Sequence, residues 1–332
     1  MNWFKGTAIG AVGLLAAILV SGPVHATPSG ISQIFAFGDS LSDPTNVKNA
    51  VGCPPGPCNP VTGRFSDGTN WVDKLGGIFG VNPTAVTEVT GPADVAQGVN
   101  FAFGGAGSGS DNGGLPILPG LQQQIGMFDT VTGSGALVAP DALFTLWIGA
   151  NDYLLLGETN PANVINNIVN TISALYALGA QDFMVLNLPD LGALPLVAGD
   201  PVAQAGLTAL SAAHNAALAA ALPALFGTLP GANLVTVDID AIYDDIIGNP
   251  LANGFTNTTD PCLDLGETPP VVCTTPESYL FWDDQHPTTA TYNRIGQIAA
   301  NALVDAGLAV PAPAGAALLM LGLAVVARRR RG

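Results

Sequence analysis

The chain of 332 residues contains 25 Asp and Glu but only nine Lys and Arg, which gives a net charge of −16 and an isoelectric point of about 4.1. Residues 27–309 hold all 25 acidic residues and four of the basic ones, a formal charge of −21. A surface with this charge repels nucleic acid and anionic lipid, so nucleic-acid binding is excluded from the predicted functions.

The first residues have the pattern of a signal peptide. Lys5 precedes an apolar run from Ala8 to Val20, and the segment from Val24 to Ala26 offers a cleavage site. We therefore predict a signal peptide over residues 1–26 and a mature chain that begins at Thr27. The alternative is an uncleaved membrane anchor, for which the apolar run is short.

Residues 27–309 are predicted to form one domain, because no polar or Pro-rich linker divides them. Apolar runs alternate with helical patterns, which is typical of parallel strands in a sheet covered on both faces. We predict a three-layer α/β/α sandwich with a doubly wound, mainly parallel sheet of five strands. These strands are Ile34–Phe37, Val99–Phe103, Ala142–Ile148, Phe183–Leu188 and Leu234–Ile239.

The clearest predicted helix covers residues 161–178. Asn160 can cap it, Pro161 suits its first turn and Gly179 can end it. Its isoleucines and Leu175 fall on one stripe while its asparagines face away, so the helix is expected to pack on the sheet. Two more helices are predicted, one over residues 202–225 and one over residues 288–305.

Two loops rich in Pro, Gly, Asn and Thr, residues 52–67 and 249–276, carry the four cysteines. In an oxidising compartment we expect two disulfides, although four cysteines allow three pairings and the sequence does not choose. A four-thiolate zinc site is the alternative. The cysteines are Cys53, Cys58, Cys262 and Cys273.

Ser40 is the candidate nucleophile. It follows the strand Ile34–Phe37 after only two residues, and a helix is expected to begin directly behind it. That helix would bring free N–H groups near the hydroxyl. A serine in this position is most often a helix cap. Ser40 is therefore interpreted as a nucleophile only if the sequence also supplies a base and a group that orients the base.

A serine hydroxyl needs a base, and the base needs an orienting group. Residues 27–309 contain two histidines. His214 lies within an Ala-rich helical pattern, where a surface or packing role is expected. His286 lies in a predicted loop three residues after Asp283, so that carboxylate can reach the imidazole; Asp284 is the local rival, with its side chain expected to leave in another direction.

An oxyanion hole needs donors aimed at the point where negative charge develops. Asn151 follows the predicted strand Ala142–Ile148, so its amide can reach the end of the sheet where Ser40 lies. Another strand ends in glycines that allow a close backbone approach, and we choose Gly105 as the second donor. Each segment alone is also compatible with an ordinary turn.

Together these segments resemble the SGNH or GDSL hydrolases, a family of serine esterases and lipases. The resemblance implies Ser40 as nucleophile, His286 as base, Asp283 as its orienter, and Ser40, Gly105 and Asn151 as oxyanion donors. One departure is D-P-T-N at residues 43–46, where many relatives have D-x-G-N, and it affects the expected shape of the substrate site. The matching motifs are F-G-D-S-L-S-D (37–43), G-R-F-S-D-G (63–68), G-V-N-F-A-F-G-G-A (98–106), G-A-N-D (149–152) and D-D-Q-H-P (283–287).

The C-terminal residues 310–332 resemble the PEP-CTERM sorting signals of Gram-negative bacteria, in the variant that begins V-P-L-P-A. Here V-P-A-P-A at 310–314 precedes an apolar stretch and four arginines at 328–331. Ala312 stands where the variant has Leu. The resemblance implies a transient contact with the inner membrane and cleavage by a sorting protease. A permanent tail anchor is the alternative.

From these observations we predict an exported serine esterase or lipase that forms an acyl-enzyme on Ser40 and needs no cofactor. Its partner would be a small-molecule or lipid ester, and the chain is expected to be a monomer. The predicted location is the cell surface or the medium, reached through a Gram-negative periplasm. The alternative is a catalytically silent surface or matrix binding protein on the same scaffold. The motifs G-x-S-x-G, G-x-x-x-x-G-K-[ST] and H-E-x-x-H do not occur in the sequence.

Overall fold

A parallel sheet of six strands forms the centre of the computed structural model, which describes residues 30–53, 58–267 and 269–310. The strands are β1 (Ile34–Gly38), β2 (Thr84–Ala85), β3 (Val99–Asn100), β4 (Leu143–Trp147), β5 (Asp182–Leu186) and β6 (Asn233–Val237). Their order across the sheet is β2-β3-β1-β4-β5-β6, and all neighbours are parallel. The chain thus winds outward in both directions from β1, as predicted.

The predicted number of five strands is wrong by one. All five predicted strands are present, and the sixth is the edge strand β2, which has only two residues. A strand this short cannot produce the apolar run on which the prediction depended. Strand β3 is also shorter than predicted. The N–H of Phe103 still donates to the Gly38 carbonyl at 3.2 Å, but the N–H of Gly38 donates to the side chain of Gln124 at 3.0 Å, so the regular ladder does not continue.

Eight α-helices surround the sheet in the described residues. They are α1 (Asn46–Val51), α2 (Trp71–Phe79), α3 (Leu121–Thr132), α4 (Ala150–Leu154), α5 (Pro161–Ala177), α6 (Pro201–Phe226), α7 (Ile239–Gly248) and α8 (Thr289–Asp305). Helix α2 packs on α8, whereas α5 packs on both α3 and α6. Every residue of β1 and β4 is buried, so both faces of the sheet are covered and the α/β/α sandwich is confirmed.

Aromatic side chains hold α3 on the sheet. The ring of Phe128 on α3 meets Phe35, Phe37, Phe101 and Phe144 edge-on, with centroid distances of 5.3 to 5.9 Å. Edge-to-face pairs at this spacing add to the stabilisation from burial alone. These contacts fix α3 against β1, β4 and the residue that directly follows β3.

Helix α5 shows how closely local sequence dictates structure here. The side chain of Asn160 accepts the N–H of Ala162 at 3.2 Å and caps the helix, as its sequence predicts. The predicted stripe, which includes Ile168 and Leu175, is buried. Gly179 follows the end of the helix with φ +99°, a conformation that favours glycine.

Both cysteine pairs are disulfides, Cys53–Cys58 and Cys262–Cys273, so the expectation of two disulfides is confirmed and the zinc alternative is wrong. The second disulfide lies in a part of the chain that contains four short strands. These are β7 (Asn257–Pro261), β8 (Leu263–Asp264), β9 (Val271–Val272) and β10 (Tyr279–Phe281). Strands β7 and β10 form a parallel pair, and β8 and β9 an antiparallel one. The predicted signal peptide and almost all of the predicted sorting signal lie outside the described residues.

Candidate active site

The predicted nucleophile and Asn151 lie at one end of the sheet because they follow adjacent strands. The last residues of β1 and β4, Gly38 and Trp147, are paired in register. Gly38 has φ +154°, and a Cβ there would collide with the carbonyl oxygen of Trp147, so only glycine fits. The chain can therefore turn sharply at the sheet edge and present Ser40 beside the segment that carries Asn151.

Ser40 lies in a tight turn in which the N–H of Asp43 donates to the Asp39 carbonyl at 3.0 Å. Helix α1 begins only at Asn46, so the prediction of a helix directly behind Ser40 is wrong. The physical reason is that the Asp43 carboxylate accepts the N–H of Asn46 at 2.7 Å and fixes the start of the helix there. Oxyanion donors from a first helical turn are therefore not available at Ser40.

A chain of hydrogen bonds joins Ser40, His286 and Asp283. His286 Nε2 lies 2.8 Å from Ser40 Oγ, and its Nδ1 lies 2.8 and 2.9 Å from the two carboxylate oxygens of Asp283. With the proton on Nδ1 directed at the carboxylate, Nε2 accepts the serine hydroxyl. All three residues are buried. Asp283, rather than its neighbour Asp284, holds the imidazole.

The loop that carries His286 is fixed from several sides. Asp283 also accepts the backbone N–H of His286 at 2.8 Å, and the His286 carbonyl accepts the N–H of Trp282 at 2.7 Å. From the distant segment at 63–68, the hydroxyl of Ser66 donates to the Pro287 carbonyl at 3.0 Å. The ring of Phe65 lies 5.2 Å from the imidazole. The imidazole therefore has little freedom to turn away from Ser40.

All three predicted oxyanion donors, Ser40, Gly105 and Asn151, line one cavity with His286. The N–H groups of Ser40 and Gly105 have no hydrogen-bond partner in the described part of the chain. Gly105 has φ +80°, and a Cβ there would lie 2.6 Å from Asn112 Oδ1, so no side chain fits. Asn151 donates one amide hydrogen to the Ala106 carbonyl at 3.0 Å, which leaves the other for a ligand.

Buried polar side chains that the sequence did not single out hold these loops together. The Asp43 carboxylate accepts the N–H of Gly104 at 2.9 Å and so ties the nucleophile turn to the glycine loop. Asn112 supports the same loop through Gly104 and Gly114. The Asp152 carboxylate accepts both the N–H and the hydroxyl of Ser108, at 2.9 and 2.7 Å. Their partners are mostly backbone groups, which carry no residue signature in the sequence.

Burial perturbs the carboxyl groups near Ser40. Loss of water raises the pKa of Asp39 to about 7, although the N–H of Leu41 opposes the change. Burial also raises the pKa of Asp43 to about 7 against its backbone donors, and it raises that of Asp152. No group of three or more His, Cys, Asp or Glu side chains that could hold a metal ion occurs within the residues described.

His214 has a packing role, one of the two expected roles. It is fully buried on α6, and its Nδ1 lies 3.0 Å from the hydroxyl of Tyr153 on α4. Burial lowers the pKa of His214 to about 4, so the ring is neutral and shares one hydrogen bond with the tyrosine hydroxyl. The same ring packs against Gly149, directly before α4. His214 thus supports the short helix that carries Asn151.

Two cavities meet at Ser40, Asn151 and His286. The larger, which we call the large cavity, encloses about 640 Å³ including space open to solvent. Its apolar wall consists of Val47, Cys58, Phe65, Leu115, Leu118 and Leu155. The other, the narrow cavity, encloses about 410 Å³ in the same sense. Its wall includes Asp39, Leu41, Trp147, Leu191, Leu194 and Tyr243.

One known protein family matches most of the chain. The family described as GDSL-like Lipase/Acylhydrolase matches residues 34–299, which include every residue of the hydrogen-bonded chain. The chain belongs to this family. The GDSL family resemblance expected from the motifs is therefore confirmed, and hydrolysis of ester bonds is the activity that the family supports.

Relatives of this GDSL protein occur in plants and bacteria. A GDSL esterase/lipase of Arabidopsis thaliana is 28% identical over 306 residues, which cover 78% of each chain. The thermolabile hemolysin of Vibrio parahaemolyticus is 27% identical over 285 residues, which cover 81% of this chain and 63% of the hemolysin. An acetylxylan esterase structure from Geobacillus stearothermophilus aligns with a TM-score of 0.42 at 12% identity, over 86% and 97% of the two chains.

Proposed function

We propose that this GDSL protein is a serine esterase or lipase in which Ser40 forms an acyl-enzyme. The observation that carries the proposal is the continuous hydrogen-bonded chain from Ser40 through His286 to Asp283, with bond distances of 2.8 and 2.8 Å. A hydroxyl bonded to a neutral, oriented imidazole is the arrangement that activates serine as a nucleophile. Esterase and lipase names among the relatives support the same class of substrate.

In the first half of the reaction His286 Nε2 takes the Ser40 proton while Oγ forms a bond to the ester carbonyl carbon. The carbonyl oxygen becomes an oxyanion, which the N–H groups of Ser40 and Gly105 and the Asn151 amide stabilise. Asp283 stabilises the imidazolium that results. The bond to the alcohol oxygen then breaks, that oxygen takes the proton from His286, and the acyl group stays on Ser40.

In the second half a water molecule replaces the alcohol. His286 accepts a proton from the water while the water oxygen attacks the acyl carbonyl carbon. The same donors stabilise the second oxyanion. The bond to Ser40 Oγ breaks, the proton returns to Oγ, and a carboxylic acid leaves. Every proton in the cycle moves through one imidazole, so no cofactor is needed.

The test is a Ser40→Ala variant with the exposed loop serine Ser110→Ala as its matched control. We expect Ser40→Ala to lose hydrolysis of p-nitrophenyl esters by at least about a thousandfold, whereas Ser110→Ala keeps it. A fluorophosphonate probe is expected to label the wild-type protein and Ser110→Ala but not Ser40→Ala. Full activity or labelling in Ser40→Ala would contradict the proposal, and absence of both in the wild type would favour a silent binding protein.

We also propose that the protein is exported through the periplasm and released after cleavage at both ends. The proposal rests on the N-terminal pattern of residues 1–26, the C-terminal pattern of residues 310–332 and the two disulfides, which persist in oxidising compartments. Intact-mass measurement of protein recovered from the native cell surface or medium tests it. Recovery of full-length chain from the cytoplasm alone would contradict it.

A further inference from the structure

The wall of the large cavity is an apolar cluster separate from the core of the sheet. Val47, Cys58, Phe65, Phe103 and Leu118 pack together there, with Leu115 and Cys53 partly buried against them. Because this cluster is separate from the main core, the surface that it forms needs its own explanation. Here that surface is the side of a cavity that opens directly at Ser40.

Among the described residues that line the large cavity, His286 is the only one with an ionisable side chain. Apart from His286, its lining consists of apolar residues, glycines and the uncharged polar residues Ser40, Asn151 and Gln285. Residues 27–309 nevertheless carry a formal charge of −21. A ligand group with its own charge would lose its water there without gaining an ionic partner. The cavity therefore fits an uncharged, apolar group.

The narrow cavity differs in size. It encloses about 410 Å³ against about 640 Å³ for the large cavity, both including space open to solvent. It therefore suits the more compact of the two groups that an ester carries, and the large cavity suits a long chain.

We propose that the large cavity binds the acyl chain of the substrate and prefers medium-length, uncharged chains over acetyl groups, while the alcohol lies toward the narrow cavity. This rests on the proposed function, since it requires an ester bound at Ser40. The carbonyl carbon of an ester bears the acyl chain on one side and the alcohol oxygen on the other. Two cavities extend from Ser40, where that carbon would lie. The long apolar substituent goes to the charge-free cavity, which also contains the Gly105 donor.

Leu115 and Leu118 set the length of chain that the large cavity accepts. They belong to the loop between Gly114 and α3, and both side chains line the large cavity. Ile117 lies between them in sequence but is 82% exposed and does not line it. The same loop therefore provides two positions, Leu115 and Leu118, where a larger side chain would fill the cavity. It also provides a control position, Ile117, where the same substitution would not.

The experiment measures kcat/KM for p-nitrophenyl acetate, butyrate, hexanoate and octanoate, and then for ethyl, butyl, hexyl and octyl acetate. In the wild type we expect kcat/KM to rise along the acyl series, by up to roughly fourfold per buried methylene, and to change much less along the alcohol series. A p-nitrophenyl monoester of octanedioic acid, with a free terminal carboxylate, is expected to react far more slowly than the octanoate.

Leu115→Trp is expected to lower the octanoate-to-acetate ratio of kcat/KM at least tenfold, because the indole occupies space that the chain needs. Ile117→Trp is expected to keep the wild-type ratio. Near-ultraviolet circular dichroism checks folding, and if Leu115→Trp does not fold, Leu118→Ala replaces it and is expected to shift the preference toward longer chains.

A flat acyl series, equal rates for the octanoate and the carboxylate-bearing ester, or a variant that changes the alcohol series instead would overturn the acyl-chain assignment. In each case hydrolysis of p-nitrophenyl acetate and labelling of Ser40 by fluorophosphonate would leave the proposed function standing. Absence of both hydrolysis and labelling would overturn the proposed function, and the acyl-chain assignment with it.

Discussion

At the scale of single residues, Asp39 is a buried carboxyl group whose ionisation should affect stability. It is 1% exposed, its Oδ1 accepts the N–H of Leu41 at 3.0 Å, and its Oδ2 has no partner in the described part of the chain. Burial raises its pKa from 3.8 to about 7. Between those values the folded state binds more protons than the unfolded state, so the free energy of unfolding falls as the pH rises.

We therefore expect Asp39→Asn to remove part of the stability loss between pH 4 and pH 7. An amide keeps the bond to Leu41 but carries no charge. The difference in unfolding free energy between variant and wild type should grow with pH by up to about 4 kcal/mol and level off above pH 7. Urea denaturation followed by tryptophan fluorescence at four pH values measures it. A difference that is independent of pH would contradict the prediction.

The sequence identified the candidate catalytic residues better than the residues that hold them. Ser40, His286 and Asp283 could be picked out because few histidines compete and the chemistry demands side chains of a particular type. Asp43 and Asn112 bind mostly backbone N–H and C=O groups of the glycine loop, which any residue supplies. Only the folded chain shows which backbone groups come within reach.

At the scale of elements, the five-residue helix α4 depends on its neighbours for its position. It is too short to be stable alone. It is held by the contact of Tyr153 with His214 on α6 and by the bond from Asn151 to Ala106. Because Asn151 and Tyr153 lie on this same helix, a change at Tyr153 should also move Asn151, the proposed oxyanion donor.

Tyr153→Phe tests this support. Loss of the hydroxyl leaves His214 Nδ1 buried without a partner, which should lower the free energy of unfolding by about 1–3 kcal/mol. If α4 shifts, kcat falls with little change in KM, because Asn151 acts on the oxyanion rather than on the bound ester. Tyr176→Phe is the control, since its hydroxyl bonds the Pro230 carbonyl at an exposed site. Equal kinetic effects in both variants would show that α4 needs no such support.

Elements with a long periodic pattern could be predicted within a few residues, and short ones could not. Helices α5, α6 and α8 begin and end within a few residues of their predicted ranges. The start of α1 was wrong because a side chain, Asp43, decides it, and β2 was missed because it has two residues paired only through β3. Periodic pattern determines the long elements, whereas a single side-chain contact determines where α1 begins and pairing with β3 determines β2.

At the scale of the whole molecule, the candidate site joins the two ends of the domain. The Ser40–His286 bond spans 246 residues, and the Ser66–Pro287 bond spans 221. Helix α8 follows directly after the His286 loop and packs along α2, which lies near the beginning of the domain. Correct docking of α8 on α2 is therefore expected to control both stability and assembly of the site.

Gly296 on α8 is the closest point of this docking. A Cβ there would lie 2.7 Å from Lys74 Cγ and 2.9 Å from the Trp71 carbonyl oxygen on α2, and the backbone oxygen has little room to move. Gly296→Val should therefore lower the free energy of unfolding by about 1–3 kcal/mol. The helices separate slightly, and ester hydrolysis should decline at urea concentrations where the wild type is still fully active.

Gly206 on α6 supplies the matched control for that substitution. No atom lies within 4 Å of a Cβ built at this position, and the residue is exposed. Valine has a higher helix propensity than glycine by only a few tenths of a kcal/mol, so Gly206→Val should change stability by less than about 0.5 kcal/mol. Urea midpoints followed by activity and by circular dichroism compare the two variants. Equal midpoints would mean that the α2–α8 contact has enough slack for a side chain, and that docking of the C-terminal helix does not limit the site.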